Sequence, residues 1–171
     1  MKQKRVFLLC GPQASGKSTW AKNRCAENEG VIQSVYISRD QERFKLVKEN
    51  EDYFSKEKEV FNSFVKHIND AISNHKVEEI YIDATHINEA SRKKLLKNIN
   101  IDSLDVIVVV FETPLEECIQ RNAKREGREC IPEKVIRDTF RRFKDPVEDD
   151  ILYQDIWYIK NNIIVDKESW Y

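Results

Sequence analysis

The sequence GPQASGKST, residues 11–19, decides the fold of this 171-residue chain. It matches the pattern G-x-x-x-x-G-K-[ST] at every defined position, and it follows the apolar run VFLLC at residues 6–10. Residues 20–26 read as a helix. Glycines let a backbone curve closely around an anion, and the N–H groups at the start of a helix bind phosphate. The stretch therefore predicts a strand, a phosphate-binding loop (P-loop) and a helix, in that order.

This loop predicts that the chain binds a nucleoside triphosphate, with ATP and Mg²⁺ as the expected pair. A plain Gly/Ser turn between a strand and a helix is the alternative, and the complete spacing argues against it. Lys17 is expected to reach the β- and γ-phosphates, and the Ser18 hydroxyl is expected to hold Mg²⁺. The residues expected to bind the nucleotide here are Gly11, Ala14, Ser15, Gly16, Lys17, Ser18 and Thr19.

The composition is that of a globular domain with a heavily charged surface, since 40% of the residues are apolar and 35% are charged. We expect residues 1–171 to form one domain. The net charge of −1 provides no overall attraction to nucleic acid, so any such site must be a local basic patch. The four cysteines show no metal-ligand spacing, and no stretch approaches the roughly 20 apolar residues of a membrane span. A cytoplasmic protein with reduced thiols is expected.

Apolar runs alternate with helical patterns about five times along the chain. Residues 105–111 form a continuous apolar run, as expected for a strand covered on both faces, and residues 60–72 carry an apolar stripe at helical spacing. This alternation predicts an α/β fold of the P-loop NTPase type, with about five parallel strands between helical layers. Further strands are expected at 31–37, 80–83 and 155–159, with a short addition at 163–165.

Two carboxylates follow predicted strands. Asp40 comes after the second strand and Asp83 closes the third. Ligands bind beyond the carboxyl ends of strands in such sheets, so both are expected beside the P-loop. Asp83 is placed to organise Mg²⁺, Asp40 to accept a proton from an attacking hydroxyl, and Arg43 to hold an anionic acceptor. A solvated surface pair is the alternative for Asp40 and Arg43.

The main basic segment is 121–142, which carries eight basic and four acidic side chains. A solvated helix face is the usual meaning of such a run. Here two predicted helices flank a glycine-containing turn at 125–131, so residues of about 121–135 are expected to form a small helical lid. Thr113, Pro114 and Glu116 predict the start of the first helix, with proline at its first position and a Thr-Glu capping box.

These motifs resemble the P-loop kinases that include the phage-type polynucleotide 5′-kinases. The resemblance rests on GPQASGKSTWA at 11–21, SRDQER at 38–43, DATHIN at 83–88, and RNAKR at 121–125 with Ile-Pro following at 131–132. It implies that Asp40 is the general base and that Arg43 contacts the acceptor's phosphate. It also implies that Arg125 is the lid arginine on the transferred phosphate, with Arg121 one turn earlier on the same helix at the nucleotide.

One motif departs from the family pattern. The phage-type proteins place the acid directly before threonine, followed by asparagine, whereas this chain has Asp83, Ala84, Thr85 and His86. Thr85 and His86 are expected on the acceptor side, so the departure bears on the acceptor more than on phosphoryl transfer. No phosphatase motif of the D-x-D-G-[TV] type accompanies the kinase motifs.

Three hypotheses follow. In the first, the chain is an ATP-dependent kinase that phosphorylates the 5′-hydroxyl of DNA or RNA. In the second, the same chemistry serves a small-molecule or nucleotide-sugar acceptor, as in zeta-toxin-like enzymes. In the third, the chain is an ATP-binding switch that transfers no phosphate. The choice between DNA and RNA and the oligomeric state stay open.

Overall fold

The computed structural model describes residues 3–147 and 152–165. The predicted domain of residues 1–171 therefore extends beyond the described residues at both ends. The strands are β1 (Arg5–Cys10), β2 (Ser34–Ser38), β3 (Glu79–Asp83), β4 (Asp105–Phe111), β5 (Asp155–Lys160) and β6 (Ile163–Val165). The helices are α1 (Lys17–Glu27), α2 (Arg39–Leu46), α3 (Glu57–Ser73), α4 (Glu89–Leu96), α5 (Leu115–Ala123) and α6 (Glu133–Arg142), with a 3₁₀ turn at Gly127–Glu129.

The described strands form one sheet in the order β2-β3-β1-β4-β5-β6. The first five strands of this order pair in parallel, and β6 pairs with β5 in the antiparallel direction. The predicted α/β fold with a parallel sheet is confirmed, and the short strand at 163–165 adds an antiparallel edge. Because β1 lies between β3 and β4, the P-loop emerges at the centre of the sheet, with the ends of its neighbours on either side.

Helices cover both faces of the sheet, which gives the three predicted layers. On one face Trp20 and Ala21 of α1 pack against Phe7 and Leu9 of β1. On the other face the stripe on α3 joins the core through Phe64 and other apolar side chains. Residues 6–10 of β1 have no solvent exposure, as expected for a parallel strand that is covered on both faces.

The second strand begins later than the sequence predicts. β2 starts at Ser34 instead of Val31, whose side chain is 81% exposed. Gly30, with a φ of 78°, belongs to a turn in which the N–H groups of Val31 and Ile32 both donate to the Asn28 carbonyl. The apolar residues at 31 and 32 therefore follow the helix end and do not join the sheet.

The predicted cap of α5 is wrong. Pro114 is the residue before the helix, and no side chain caps its first turn. Thr113 instead donates its hydroxyl hydrogen bond to the Ser15 carbonyl, 2.7 Å away in the P-loop. Thr113 therefore does not cap α5 and instead connects the segment after β4 to the P-loop. By contrast, α4 has a side-chain cap, because the Asn88 side chain accepts a hydrogen bond from the Ser91 N–H at 2.9 Å.

Among residues 3–147 and 152–165, no helix has both the length and the apolar character to cross a membrane. The four cysteines are free thiols, with Cys10 and Cys118 buried.

Candidate active site

The P-loop has the backbone that its sequence predicts. Gly16, with a φ of 103°, precedes α1, so the helix starts at Lys17. Ala14 has a φ of 60°, a left-handed conformation that non-glycine residues adopt only under constraint. At Gly11, an added Cβ would lie 3.0 Å from the Ser15 Oγ and 3.1 Å from the Phe111 Cβ, so only glycine fits there without a shift. Ser15 is buried, whereas Thr19 is exposed on α1.

Lys17 lies inside the loop. Its ammonium donates to the carbonyl oxygens of Gly11 at 2.9 Å and Pro12 at 2.6 Å, and only 7% of the residue is exposed. Burial lowers the pKa of Lys17, while the negative charges of Asp83 and Asp40 oppose that shift. Lys17 is thus within electrostatic reach of both carboxylates that the sequence assigns to chemistry.

Asp83 joins the end of β3 to the start of α1. Its Oδ2 accepts hydrogen bonds from the Ser18 hydroxyl at 2.5 Å and from the Tyr36 hydroxyl at 2.5 Å. Burial, followed by the charge of Asp83, raises the pKa of Tyr36, so this phenol stays a donor at neutral pH. Tyr36 lies on β2 beside β3 and was not predicted as a site residue. A tyrosine within a strand belongs to no motif whose spacing would predict a hydrogen bond to Asp83.

The Ser18–Asp83 pair fits the donor set that Mg²⁺ uses. This cation prefers oxygen ligands and is usually held by one or two carboxylates together with waters and substrate phosphates. Among the residues described, no group of three or more His, Cys, Asp or Glu side chains could cage a metal. The predicted binding of Mg²⁺ by this pair, together with a nucleotide, stays a prediction.

Asp40 is the second residue of α2 and is open to solvent, with its side chain 59% exposed. Its Oδ1 accepts hydrogen bonds from the Arg43 guanidinium at 2.5 Å and from the Tyr53 hydroxyl at 2.9 Å. In the part of the chain that the structure describes, both of these bonds go to Oδ1. The role of Asp40 as a general base stays a prediction. Burial and the neighbouring Asp40 raise the pKa of Tyr53 to about 12, which keeps its phenol a donor.

Arg43 is a buried bridge. Its side chain is 6% exposed, and its Nε and Nη2 donate to Oε1 of Glu57 at 3.1 and 2.6 Å. Its Nη1 reaches Asp40, and its Cζ lies 4.5 Å from the centre of the Tyr53 ring. The structure thus directs Arg43 at Asp40, Tyr53 and Glu57. Its sequence-predicted role at an acceptor phosphate stays a prediction.

The loop after β3 supports the P-loop. The Gly11 N–H donates to the Thr85 carbonyl at 3.0 Å, and His86 Nδ1 lies 2.8 Å from the Leu9 carbonyl. Since a carbonyl only accepts, this nitrogen carries the hydrogen. His86 is 6% exposed, and burial lowers its pKa to about 4. The His86 carbonyl in turn accepts a hydrogen bond from Arg92 Nη1 at 2.9 Å. The predicted part of Thr85 and His86 in acceptor binding stays a prediction.

The lid arginines lie in two different structural settings. Arg121 is on the last turn of α5, where it pairs with Glu117, and its Nη1 would be 3.4 Å from a Cβ added at Gly16. Arg125 comes after the helix, which ends at Ala123, so the expectation that both arginines share one helix is wrong. Within residues 3–147 and 152–165, no carboxylate forms an ion pair with the Arg125 guanidinium.

The rest of the basic segment divides between ion pairs and a contact across the molecule. On α6, Arg137 pairs with Glu133 and Arg141 pairs with Asp138, so part of the predicted basic surface is neutralised locally. Arg128, in the 3₁₀ turn, instead donates to the Val47 carbonyl at 2.8 Å, at the end of α2. The lid segment therefore contacts the helix that carries Asp40.

Sequence reasoning missed Tyr36, Tyr53 and Glu57. A local signal for α2 was present, because Ser38 followed by Gln41 fits the start of a capping box. In the structure the Ser38 side chain accepts from the Gln41 N–H at 3.4 Å, and α2 runs to Leu46.

The strand order and the P-loop together define a P-loop NTPase fold. A family model described as an AAA domain matches residues 6–149, and the chain belongs to that family, AAA_33.

Solved structures agree with this fold. A chain of the Pnkp1/Rnl/Hen1 RNA repair complex is 22% identical with a TM-score of 0.68; the match covers 83% of this chain and 44% of that one. A fungal RNA kinase is 15% identical with a TM-score of 0.66, over 94% of this chain and 39% of that one. Kti12 from Chaetomium thermophilum, in complex with ADP-AlF3, is 16% identical with a TM-score of 0.64, over 90% and 88%. This chain thus spans less than half the length of the first two chains.

Proposed function

We propose that this protein is an ATP-dependent phosphotransferase that moves the γ-phosphate to an acceptor hydroxyl, with the 5′-hydroxyl of a polynucleotide as the preferred acceptor. One observation carries the proposal. Asp40 is exposed in the first turn of α2, close enough to the P-loop for its charge to act on Lys17, and its Oδ1 is held by Arg43 and Tyr53. A carboxylate held in this way is suited to accept a proton.

The transfer is a single displacement. The acceptor hydroxyl loses its proton to Asp40 Oδ2 while its oxygen forms a bond to the γ-phosphorus. The bond between that phosphorus and the oxygen bridging to the β-phosphate breaks, so ADP leaves with the electron pair. Lys17 and the N–H groups of the P-loop hold the phosphates in line. Ser18 and Asp83 would hold Mg²⁺, which would supply charge neutralisation on the phosphate oxygens.

The lid supplies the remaining positive charge. Arg121 Nη1 lies near Gly16 of the P-loop, and Arg125 forms no ion pair among the described side chains. Guanidinium groups in such positions stabilise charge that develops on a transferred phosphoryl group. We further infer that residues 1–171 act as one domain, with the lid at about 121–135.

The surroundings of Asp40 favour a large acceptor. A cavity of about 590 Å³ lies on the other side of the P-loop, where Pro12, Phe111 and Phe143 are among its lining residues; Asp40 and Arg43 are not among them. Asp40 itself is at an open surface. An open surface admits the end of a chain whose remainder stays outside the protein. A small molecule is usually recognised in an enclosed pocket.

Transfer of labelled γ-phosphate from ATP to a 5′-hydroxyl oligonucleotide tests the proposal. Asp40→Asn should lower kcat about 10²- to 10⁴-fold, the usual contribution of a positioned base, with ATP binding retained. Asp70→Asn is the matched control. Asp70 is also an exposed carboxylate in a helical ion pair, with its side chain 57% exposed, but it lies on α3 and pairs with Lys66. This control should keep wild-type activity.

The same assay separates the competing functions. ADP release with nucleosides or sugar nucleotides, but not with oligonucleotides, would instead support a kinase with a small-molecule acceptor. ATP binding without ADP release for every acceptor would leave a nucleotide-dependent switch. Equal activity in Asp40→Asn and wild type would contradict the role of Asp40 in either kinase.

A further inference from the structure

The loop between α2 and α3 presents two aromatic side chains beside Asp40. The Tyr53 hydroxyl donates to Asp40 Oδ1 at 2.9 Å. The Arg43 guanidinium lies over the Tyr53 ring, with its Cζ 4.5 Å from the ring centre. Phe54 packs edge-to-face against Tyr53, with ring centres 4.9 Å apart and an angle of 79° between the planes. A chain of contacts therefore joins the carboxylate to Phe54.

Phe54 is unusually exposed for its size. It is 57% exposed, although Tyr53 next to it is held by Asp40 and Arg43. Its backbone N–H donates to the Asp52 side chain at 3.0 Å, which fixes the turn that presents the ring. An aromatic ring held in place and still open to solvent costs little conformational entropy when a planar group stacks on it.

We propose that Phe54, supported by Tyr53, is a stacking platform for the terminal nucleobase of the acceptor. This inference rests on the proposed function and specifies its acceptor: an end that carries a base, bound without sequence preference because every base has a π-face. Asp40 receives the proton of the 5′-hydroxyl, and the base of the same nucleotide lies against Phe54. The platform contributes to acceptor binding and has no part in binding ATP.

Kinetics with matched acceptors test the platform. Phe54→Ala should raise the KM for a 5′-hydroxyl oligonucleotide about 5- to 100-fold, the range expected for loss of one base–aromatic stack. Phe54→Tyr should restore the wild-type KM, since it keeps the ring, whereas Phe54→Leu should not. With an oligonucleotide whose 5′-terminal sugar lacks a base, wild type and Phe54→Ala should have the same KM. The KM for ATP should be unchanged throughout.

Val31→Ala is the control for loss of an exposed apolar side chain, because Val31 is 81% exposed in the turn after α1. It should leave every KM unchanged. An equal loss in Phe54→Ala on normal and abasic ends would overturn the platform and indicate a structural role for the ring. An unchanged KM on the normal end would also overturn it.

Binding distinguishes failure of the platform from failure of the proposed function. If wild type phosphorylates no oligonucleotide, fluorescence anisotropy of a labelled 5′-hydroxyl tetranucleotide with ADP present still compares wild type with Phe54→Ala. Weaker binding by Phe54→Ala, confined to the tetranucleotide with a terminal base, would support the platform even though the kinase proposal had failed. Equal affinity, or absence of binding by wild type, would overturn it.

Discussion

The Ser18 hydroxyl lies 2.5 Å from Asp83 Oδ2, which connects the first turn of α1 to the end of β3 across 65 residues of sequence. The same oxygen receives the Tyr36 hydroxyl at 2.5 Å. The position of the Asp83 carboxylate therefore depends on three elements that the fold brings together: α1, β2 and β3.

The first prediction concerns Tyr36, which orients a candidate metal-binding carboxylate. Tyr36→Phe removes the hydrogen bond to Asp83 and keeps the ring, so the Mg²⁺ concentration for half-maximal activity should rise about 10- to 100-fold. Activity measured over a Mg²⁺ titration gives this value. Tyr81→Phe is the matched control, because Tyr81 also donates to a carboxylate, that of Glu79, away from the P-loop. A metal requirement shifted equally in both variants would contradict the assignment.

The second prediction separates two roles for Arg43. If Arg43 holds Asp40 and Glu57 in place, Arg43→Lys cannot replace a fork that reaches both carboxylates. We expect it to lower kcat at least 10-fold and to lower the free energy of unfolding by about 1–3 kcal/mol, the cost of leaving buried polar groups unsatisfied. Urea unfolding and steady-state kinetics measure the two effects. A higher KM for the oligonucleotide, with kcat and stability unchanged, would instead support the sequence-predicted contact with an acceptor phosphate.

The third prediction follows from the neutral, buried His86. Its pKa is lowered from an ordinary 6.5 to about 4, so the unfolded chain binds a proton between these values while the folded chain does not. The stabilising effect of His86 is therefore complete above about pH 6.5 and is lost as the pH falls towards 4. Between pH 7 and 5 the free energy of unfolding should fall by about 2 kcal/mol on this account.

His86→Asn isolates that contribution, because asparagine tolerates the left-handed φ of 44° and its amide can donate to the Leu9 carbonyl. The variant should unfold with a flatter pH dependence than wild type between pH 7 and 5. Identical slopes would show that other groups cause the loss of stability in acid.

The fourth prediction concerns the backbone of the P-loop. Gly11→Ala would place a Cβ against Ser15 and Phe111, whereas at Gly30, where φ is 78°, no atom lies within 4 Å of such a Cβ. Gly30→Ala should therefore cost only the strain of a left-handed residue, about 1–2 kcal/mol, and keep ATP affinity. Gly11→Ala should raise the Kd for ATP at least 10-fold. Calorimetric titration measures both, and equal affinities would argue against a rigid loop.

The strands and the P-loop could be predicted because their signals are local. A continuous apolar run such as residues 105–111 has few structural alternatives, and the P-loop pattern defines its own flanking elements. The start of β2 was missed for a physical reason: Val31 is apolar, but the turn at Gly30 directs it into solvent. Apolarity indicates burial only where the backbone continues into the sheet.

The supporting residues of the site were not predictable in the same way. Tyr36 contacts Asp83 from 47 residues away, and Arg43 contacts Glu57 across 14 residues. Such contacts depend on strand order and on the path of a loop, and neither leaves a spacing pattern in one sequence. Asp40 and Asp83 were predicted as site residues because one follows and the other ends a strand of a parallel sheet, whose carboxyl ends share one edge.

Arg128 links the 3₁₀ turn of the predicted lid to the helix that carries Asp40. Its hydrogen bond to the Val47 carbonyl attaches the lid turn to the far end of the helix that starts beside Asp40. If residues 121–135 act as the lid that we propose, opening it for nucleotide exchange would break that bond. ATP and the acceptor should therefore each raise the other's affinity by one common factor, as reciprocity requires. Measuring the Kd for ATP with and without an oligonucleotide gives that factor, and Arg128→Ala should bring it close to one.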